Sequence, residues 1–262
     1  MRWLLLNPNT SPAVTARLLA HAQTELQTRG RADVQLQPCT ATLGASYIAT
    51  EASYALAAHG ALDAWAQALA PHHLASPTDT SGPGPAATPQ PFDAILLGCF
   101  GDPGVWALRE ASGLPVVGLA EAAMVQAARH GRFAIVTGGA AWAPMLQRLA
   151  AQLGLAEALA AVHTVAPSGA ELAAQPEAAL KLLGQACEQA AQGVDAVVLG
   201  GAGLAGMAAP LAGRLAVPLI DSASAGVVAL LDEAPERWSA PPAPGAAPVW
   251  TGLTHALSQQ LR

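Results

Sequence analysis

The stretch Ala94-Ile-Leu-Leu-Gly-Cys99-Phe-Gly-Asp-Pro-Gly104 carries the most legible chemistry in the chain. An apolar run delivers a cysteine into a glycine-rich turn, with a helix start expected at Asp102-Pro103. Such a turn presents a side chain at the carboxyl edge of a sheet, and the amides of a helix start favour negative charge. The expectation is a thiol that titrates near neutrality and can act as a nucleophile or move a proton. A free cysteine is elsewhere most often a small buried hydrophobe. Here Gly98, Gly101, Pro103 and Gly104 favour the functional reading.

Two further clusters carry hydrogen-bonding groups. Asn7, Asn9, Thr10 and Ser11 lie between a first strand and a first helix, where an open parallel sheet binds ligands. Free N–H groups of a helix start suit a carboxylate or ureide oxygen. Asn7 is expected to hold the loop, and Asn9, Thr10 and Ser11 to meet a ligand or cap the helix. Thr137-Gly138-Gly139 follows a later strand and offers matching donors for an enolate. Tyr47, in the loop after the second strand, is expected to line the same cleft. His72 and His73 sit side by side in an expected loop without partners at metal spacing, so no metal site is expected.

Gly201-Ala-Gly203-Leu-Ala-Gly206 matches the dinucleotide fingerprint, with Asp221 ending the next strand. A dinucleotide lobe needs several more strands than the Pro/Ala-rich residues after Asp221 supply, which argues against a nucleotide.

These residues require a sheet to position them, and the pattern alternates strand with helix. Strands are expected at Arg2–Leu6, Asp33–Gln37, Asp93–Gly98, Val116–Gly118, Arg132–Thr137, Ala161–Val165, Asp195–Gly200 and Val217–Ile220. Helices are expected at Pro12–Gln27, Glu51–Ala70, Ala140–Leu153, Pro176–Gln192 and Leu204–Leu215. Thr10-Ser11-Pro12 marks a helix start by a cap before a proline, as does Asp102-Pro103. Ser76–Pro91 and Ala234–Pro248 read as solvent-exposed insertions. Asp93-Ala-Ile-Leu-Leu-Gly98 before Cys99 echoes Asp195-Ala-Val-Val-Leu-Gly200 before Gly201, which suggests two similar lobes facing one cleft. The fold class expected is α/β, with two pseudo-symmetric lobes of mostly parallel sheet flanked by helices. Residues 1–118 with 220–262 form the first lobe and residues 119–219 the second.

Composition narrows the function classes. The 262 residues are 52% hydrophobic with a net charge of −6, enough for a large core and without a basic face for nucleic acid. Three cysteines without paired spacing give no disulfide framework and fit a reducing cytoplasm. The uncharged run 196–213 divides into strand, loop and helix, so no membrane span is expected.

Leu6-Asn7-Pro8-Asn9-Thr10-Ser11, Cys99-Phe-Gly-Asp-Pro-Gly104, Val117-Gly-Leu-Ala-Glu-Ala-Ala-Met124 and Val198-Leu-Gly-Gly-Ala-Gly203 together give a specific pattern. Over nearly its whole length the chain resembles the aspartate/glutamate/hydantoin racemase superfamily, most closely the hydantoin and allantoin racemase branch. The resemblance implies catalysis without a cofactor by two cysteines on opposite faces of the substrate's α-carbon. Racemisation needs an acid and a base so placed. Gly201 stands where the second cysteine is implied, so the two-thiol mechanism is not available as written. Cys39 is expected in the same lobe as Cys99, and Cys187 within a helix. His163 and Glu121 remain as other acids or bases of the second lobe.

The expected substrate contacts are Asn9, Thr10, Ser11, Tyr47, Phe100, Gly101, Glu121, Thr137, Gly138, Gly201 and Ala202, with Cys99 catalytic. The expected partner is a small molecule with a carboxylate or a ureide or hydantoin group, bound by a homo-oligomer. The leading expectation is an amino-acid or hydantoin-type racemase working through Cys99. Single-cysteine decarboxylation, as in the arylmalonate decarboxylase branch, and ligand binding without chemistry are the alternatives.

Overall fold

The structure is a computed structural model that describes residues 1–75, 91–166, 169–232, 235–240 and 248–261. Its elements run β1 (Arg2–Asn7), α1 (Pro12–Thr28), β2 (Gln35–Thr40), α2 (Glu51–Ala75), β3 (Ala94–Leu97), α3 (Val105–Ser112), β4 (Val116–Gly118) and α4 (Leu119–Ala128). There follow β5 (Phe133–Gly138), α5 (Trp142–Gln152), β6 (Leu159–Val165), α6 (Gly169–Ala174), α7 (Pro176–Ala190), β7 (Ala196–Gly200), β8 (Leu219–Asp221), α8 (Ser222–Asp232) and α9 (His255–Gln260).

The strands form two four-stranded sheets, ordered β2-β1-β3-β4 and β6-β5-β7-β8. All pairings are parallel, and the second sheet repeats the first strand for strand. Side chains alternate across each strand. Leu4, Leu6, Ile95 and Leu97 therefore enter an outer core under α2, α3 and α9, while Trp3, Leu5 and Leu96 enter a central core with α1, α4 and α8. In the second sheet Phe133, Ile135, Ala196 and Val198 join that central core, and Ala134, Val136, Val197 and Leu199 pack under α7. Burial on both faces explains why these strands read as unbroken apolar runs. The expected two-lobe α/β architecture is the architecture found.

Four local expectations change. The second strand runs later than Asp33–Gln37 and includes Pro38; the missing N–H is tolerated because β2 is an edge strand. Leu204–Leu215 is not a helix but holds two 3₁₀ turns, Ala202–Leu204 and Ala212–Arg214. Gly206, Pro210 and Gly213 within it explain the interruption. His72 and His73 lie in the last turns of α2 rather than in a loop. The insertion expected at Ser76–Pro91 lies outside the described residues save for Pro91. Of the one expected at Ala234–Pro248, Pro235–Trp238 forms a turn that buries Trp238 instead of exposing it. Among the described residues no helix is long and apolar enough to cross a membrane.

One buried ion pair fastens α3 to α4. Arg109 Nη2 lies 2.5 Å from Glu121 Oε2, and its Nε and Nη2 also donate to the Val116 carbonyl. The guanidinium faces the rings of Trp106 and Trp238 at 4.7 and 5.7 Å. Removing one partner of such a pair strands the other charge, a loss of about 3–5 kcal/mol. Glu121→Ala is therefore expected to lower unfolding free energy by that amount in urea titration, whereas an unchanged midpoint would show the pair contributes nothing.

Candidate active site

The carboxyl ends of both sheets face one cleft. Its walls include Asn9 after β1, Cys99 and Phe100 after β3, Thr137 and Gly138 at the end of β5, and Gly200–Leu204 at and after β7. Ser46, Tyr47 and Ile48 from the loop before α2, Val14 of α1 and Trp142 of α5 close the rest.

Cys99 occupies the tight turn after β3, its N–H bonded to the Leu97 carbonyl at 2.9 Å. It is only 5% exposed. Burial, with a smaller contribution from the nearby Asp102 carboxylate, pushes its thiol well above the usual range. Burial therefore runs against the expectation of a thiol titrating near neutrality. Asp102 does not cap the helix that follows it. Gly104 stands at that N-cap, and the Asp102 side chain crosses to accept from the N–H groups of Ala120 and Glu121 at 3.0 and 2.7 Å. The Asp102 carboxylate thus sits at the start of α4, and no side chain caps α3. Burial raises Asp102 itself to about 7 despite those two donors.

The turn is packed from every side. Tyr54 donates to the Gly101 carbonyl at 2.7 Å, and a β-carbon on Gly101 would collide with the Trp142 ring. The Phe100 ring lies against Gly200 of the opposite lobe, where a β-carbon would sit 2.1 Å from its edge. Across the cleft, Gly201 takes the place in the second lobe that Cys99 takes in the first. Its φ is +145°, and its N–H donates to Ser222 Oγ at 3.2 Å. No acid or base projects from that position.

The remaining expected contacts divide. Asn9, Tyr47, Phe100, Thr137, Gly138, Gly201 and Ala202 line the cleft with Cys99. Asn9 Oδ1 accepts from Asn7 Nδ2 and the Ser11 N–H, so Asn7 holds the loop as expected, bonding Thr15 Oγ1 as well. Thr10 and Ser11 do not reach the lining; Thr10 bonds Ala45 through its backbone, and Ser11 makes no side-chain cap. Gly101 lies behind Trp142. Glu121 is committed to Arg109 and is a structural residue. His163 sits in the edge strand β6, away from the lining.

Cys39 donates to the Ala64 carbonyl, and burial raises it to about 11; Cys187 is buried under the second sheet and raised to about 12. Neither reaches the cleft. Asp221 does not face a nucleotide, since its oxygens accept from the amides of Gly206, Ala223 and Ser224. Val14, Ser46, Ile48, Trp142, Gly200, Gly203 and Leu204 line the cleft without having been among the expected contacts. Trp142 had a signal: it opens the helix after the Thr137 turn, as Pro12 opens the helix after Asn9.

No group of metal-binding side chains occurs among the described residues. Residues 4–230 match the family model described as Asp/Glu/Hydantoin racemase. A hydantoin racemase of Paenarthrobacter aurescens is 33% identical over 228 residues, spanning 86% of this chain and 87% of that protein. The structure of allantoin racemase from Klebsiella pneumoniae superposes with a TM-score of 0.73 at 30% identity, covering 88% of each chain. That of allantoin racemase from Pseudomonas fluorescens gives 0.73 at 25%, covering 87% and 88%. An arylmalonate decarboxylase mutant shares the fold alone, at 18% identity and a TM-score of 0.56 over 88% of this chain and 92% of that one. The chain belongs to the Asp/Glu/hydantoin racemase family and is an isomerase of the racemase type.

Proposed function

We propose that this racemase acts on a neutral cyclic ureide, a 5-substituted hydantoin with an uncharged substituent, and that Cys99 moves the proton on one face. The observation that carries this reading is the composition of the cleft. Cys99 stands on one wall, and no Asp, Glu, Lys, Arg or His is among the lining residues. An amino-acid zwitterion would bury an ammonium without a carboxylate partner, which is costly. A hydantoin ring asks only for neutral donors and acceptors, which Asn9, Ser46 and Thr137 supply. Val14, Ile48, Phe100, Trp142 and Leu204 offer apolar surface to its substituent.

The Cys99 thiolate takes the proton from the substituted ring carbon, and the electron pair passes to the adjacent carbonyl as an enolate. Opposite stands Gly201, without a side-chain acid, so solvent water protonates the far face. The hydroxide left behind takes the proton from the Cys99 thiol, which restores thiolate and water. Thiol and enolate meet in an apolar setting where hydrogen bonds to the developing oxyanion gain strength. Single-thiol decarboxylation of a malonate is the second reading, and Gly201 favours it because carbon dioxide then leaves in place of a proton.

NMR of proton loss from hydantoins in deuterium oxide, with optical rotation followed in parallel, separates these readings. Exchange with equal loss of rotation supports racemisation, exchange with retained rotation means a one-faced site, and no exchange on any hydantoin removes the proposal. Cys99→Ala is expected to reduce exchange by about 10²–10⁴-fold, the usual worth of a positioned acid or base; an unchanged rate would exclude Cys99.

The raised thiol sets a pH dependence. The active thiolate is scarce at neutrality, so kcat/KM is expected to climb about tenfold per pH unit from roughly pH 7 upward. Asp102→Asn removes a negative charge beside the thiol and lowers its pKa. Iodoacetamide modification of Cys99, followed against pH by mass spectrometry, is expected to shift to lower pH in that variant. A coincident profile would mean that Asp102 does not act on the thiol.

A further inference from the structure

The loop 201–206, whose first four residues line the cleft with Cys99, is gripped at both ends by two neighbouring side chains. Ser222 Oγ accepts from the Gly201 N–H at 3.2 Å. Asp221 Oδ2 accepts from the Gly206 N–H at 2.8 Å, while its other oxygen takes the first amides of α8, Ala223 at 2.9 and Ser224 at 3.3 Å. Both held glycines have positive φ, +145° and +85°. The backbone between them is short and turned, with Leu204 N–H on the Gly201 carbonyl at 2.8 Å. Glycines give such a turn conformational freedom, so external acceptors are what hold it to one shape.

A third side chain ties this grip to the other wall. His21 of α1 approaches Gly206 so closely that a β-carbon there would sit 3.1 Å from Nδ1. Its Nε2 is 2.9 Å from Ser224 Oγ and 3.6 Å from Asp221 Oδ1. The Ser224 hydroxyl donates to Glu25 Oε2 at 3.0 Å, so its proton is committed and His21 Nε2–H must be the donor to Ser224. Helix α1 begins at the loop that carries Asn9 into the cleft. The chain of contacts therefore joins the Asn9 wall to the Gly201 wall from behind.

We infer that Ser222, Asp221 and His21 are positioning residues, which together form a latch that holds the Gly201–Gly206 wall opposite Cys99. Their catalytic consequence rests on the racemase reading above. The wall bounds the face on which the proton returns, so slackening it weakens the transition state more than the bound substrate.

The latch is read first without substrate. In nitrogen-15-labelled wild type the Gly201 and Gly206 amides are expected to be protected from hydrogen exchange. Ser222→Ala is expected to speed Gly201 exchange by about tenfold or more, with a melting temperature within about 4 °C of wild type. His21→Ala, which leaves both acceptors in place, is expected to speed Gly206 exchange. Against a hydantoin, Ser222→Ala is expected to lower kcat by roughly fivefold to tenfold with KM nearly unchanged, the worth of one hydrogen bond.

Free exchange of both amides in wild type overturns the latch, as does a Ser222→Ala protein whose exchange matches wild type. Faster exchange with wild-type kcat overturns the positioning role. If wild type leaves hydantoins untouched, the substrate reading fails by itself, and the exchange rates still decide the latch.

Discussion

A buried carboxylate is the constraint on which the site depends. Asp102 is the one non-glycine residue with positive φ among those described, at +56°, and it is essentially without solvent contact. Two amides at the start of α4 hold it, and Gly118 leaves the space, since a β-carbon there would strike its carboxyl group. A charge-assisted bond to a helix start is among the stronger uses of a carboxylate. It stabilises a turn whose backbone would otherwise be unfavourable. The cost falls on the thiol, because the Asp102 carboxylate adds to the burial that raises Cys99.

The architecture then doubles this arrangement without copying its chemistry. Each sheet has the same strand order, so the turns after β3 and β7 meet across one cleft. In the first lobe the turn is fastened through Asp102 to the next helix. In the second, Asp221 does related work, accepting from Gly206 and from the first turn of α8. Both lobes thus use an aspartate to tie a glycine-rich turn to a helix start. One tie supports a thiol and the other supports a bare backbone.

Much of this was written in the sequence where local and global preferences agree. The strands β1, β3, β5 and β7 are apolar runs because both faces are buried, and their ends locate Asn9, Cys99, Thr137 and Gly201 within one cleft. What could not be read depended on contacts between distant segments. Nothing near Glu121 in the chain announces Arg109 folding back onto it, and Asp102-Pro103 looks like a cap for the following helix until Gly118 is seen to admit its side chain. The burial that raises Cys99 is equally non-local, since Tyr54 of α2 and Trp142 of α5 pack on its turn. The match of Gly201–Gly206 to a dinucleotide fingerprint is a case of one backbone requirement serving another purpose. The glycines are needed for positive φ and for the approach of His21, not for a phosphate.

The difference between Cys99 and Gly201 is deeper than a missing sulfur. Cys99 holds an ordinary backbone conformation, whereas Gly201 has a φ that side chains rarely adopt. A β-carbon placed on it would also approach Leu204 Cγ to 3.2 Å. Leu204 is buried, belonging to the core beneath the second sheet while also bordering the cleft. Ser222 fixes the Gly201 amide in this geometry. A cysteine at this position would therefore strain the backbone and press on Leu204. The interactions that maintain the loop conformation favouring glycine at 201 lie behind the cleft rather than in it.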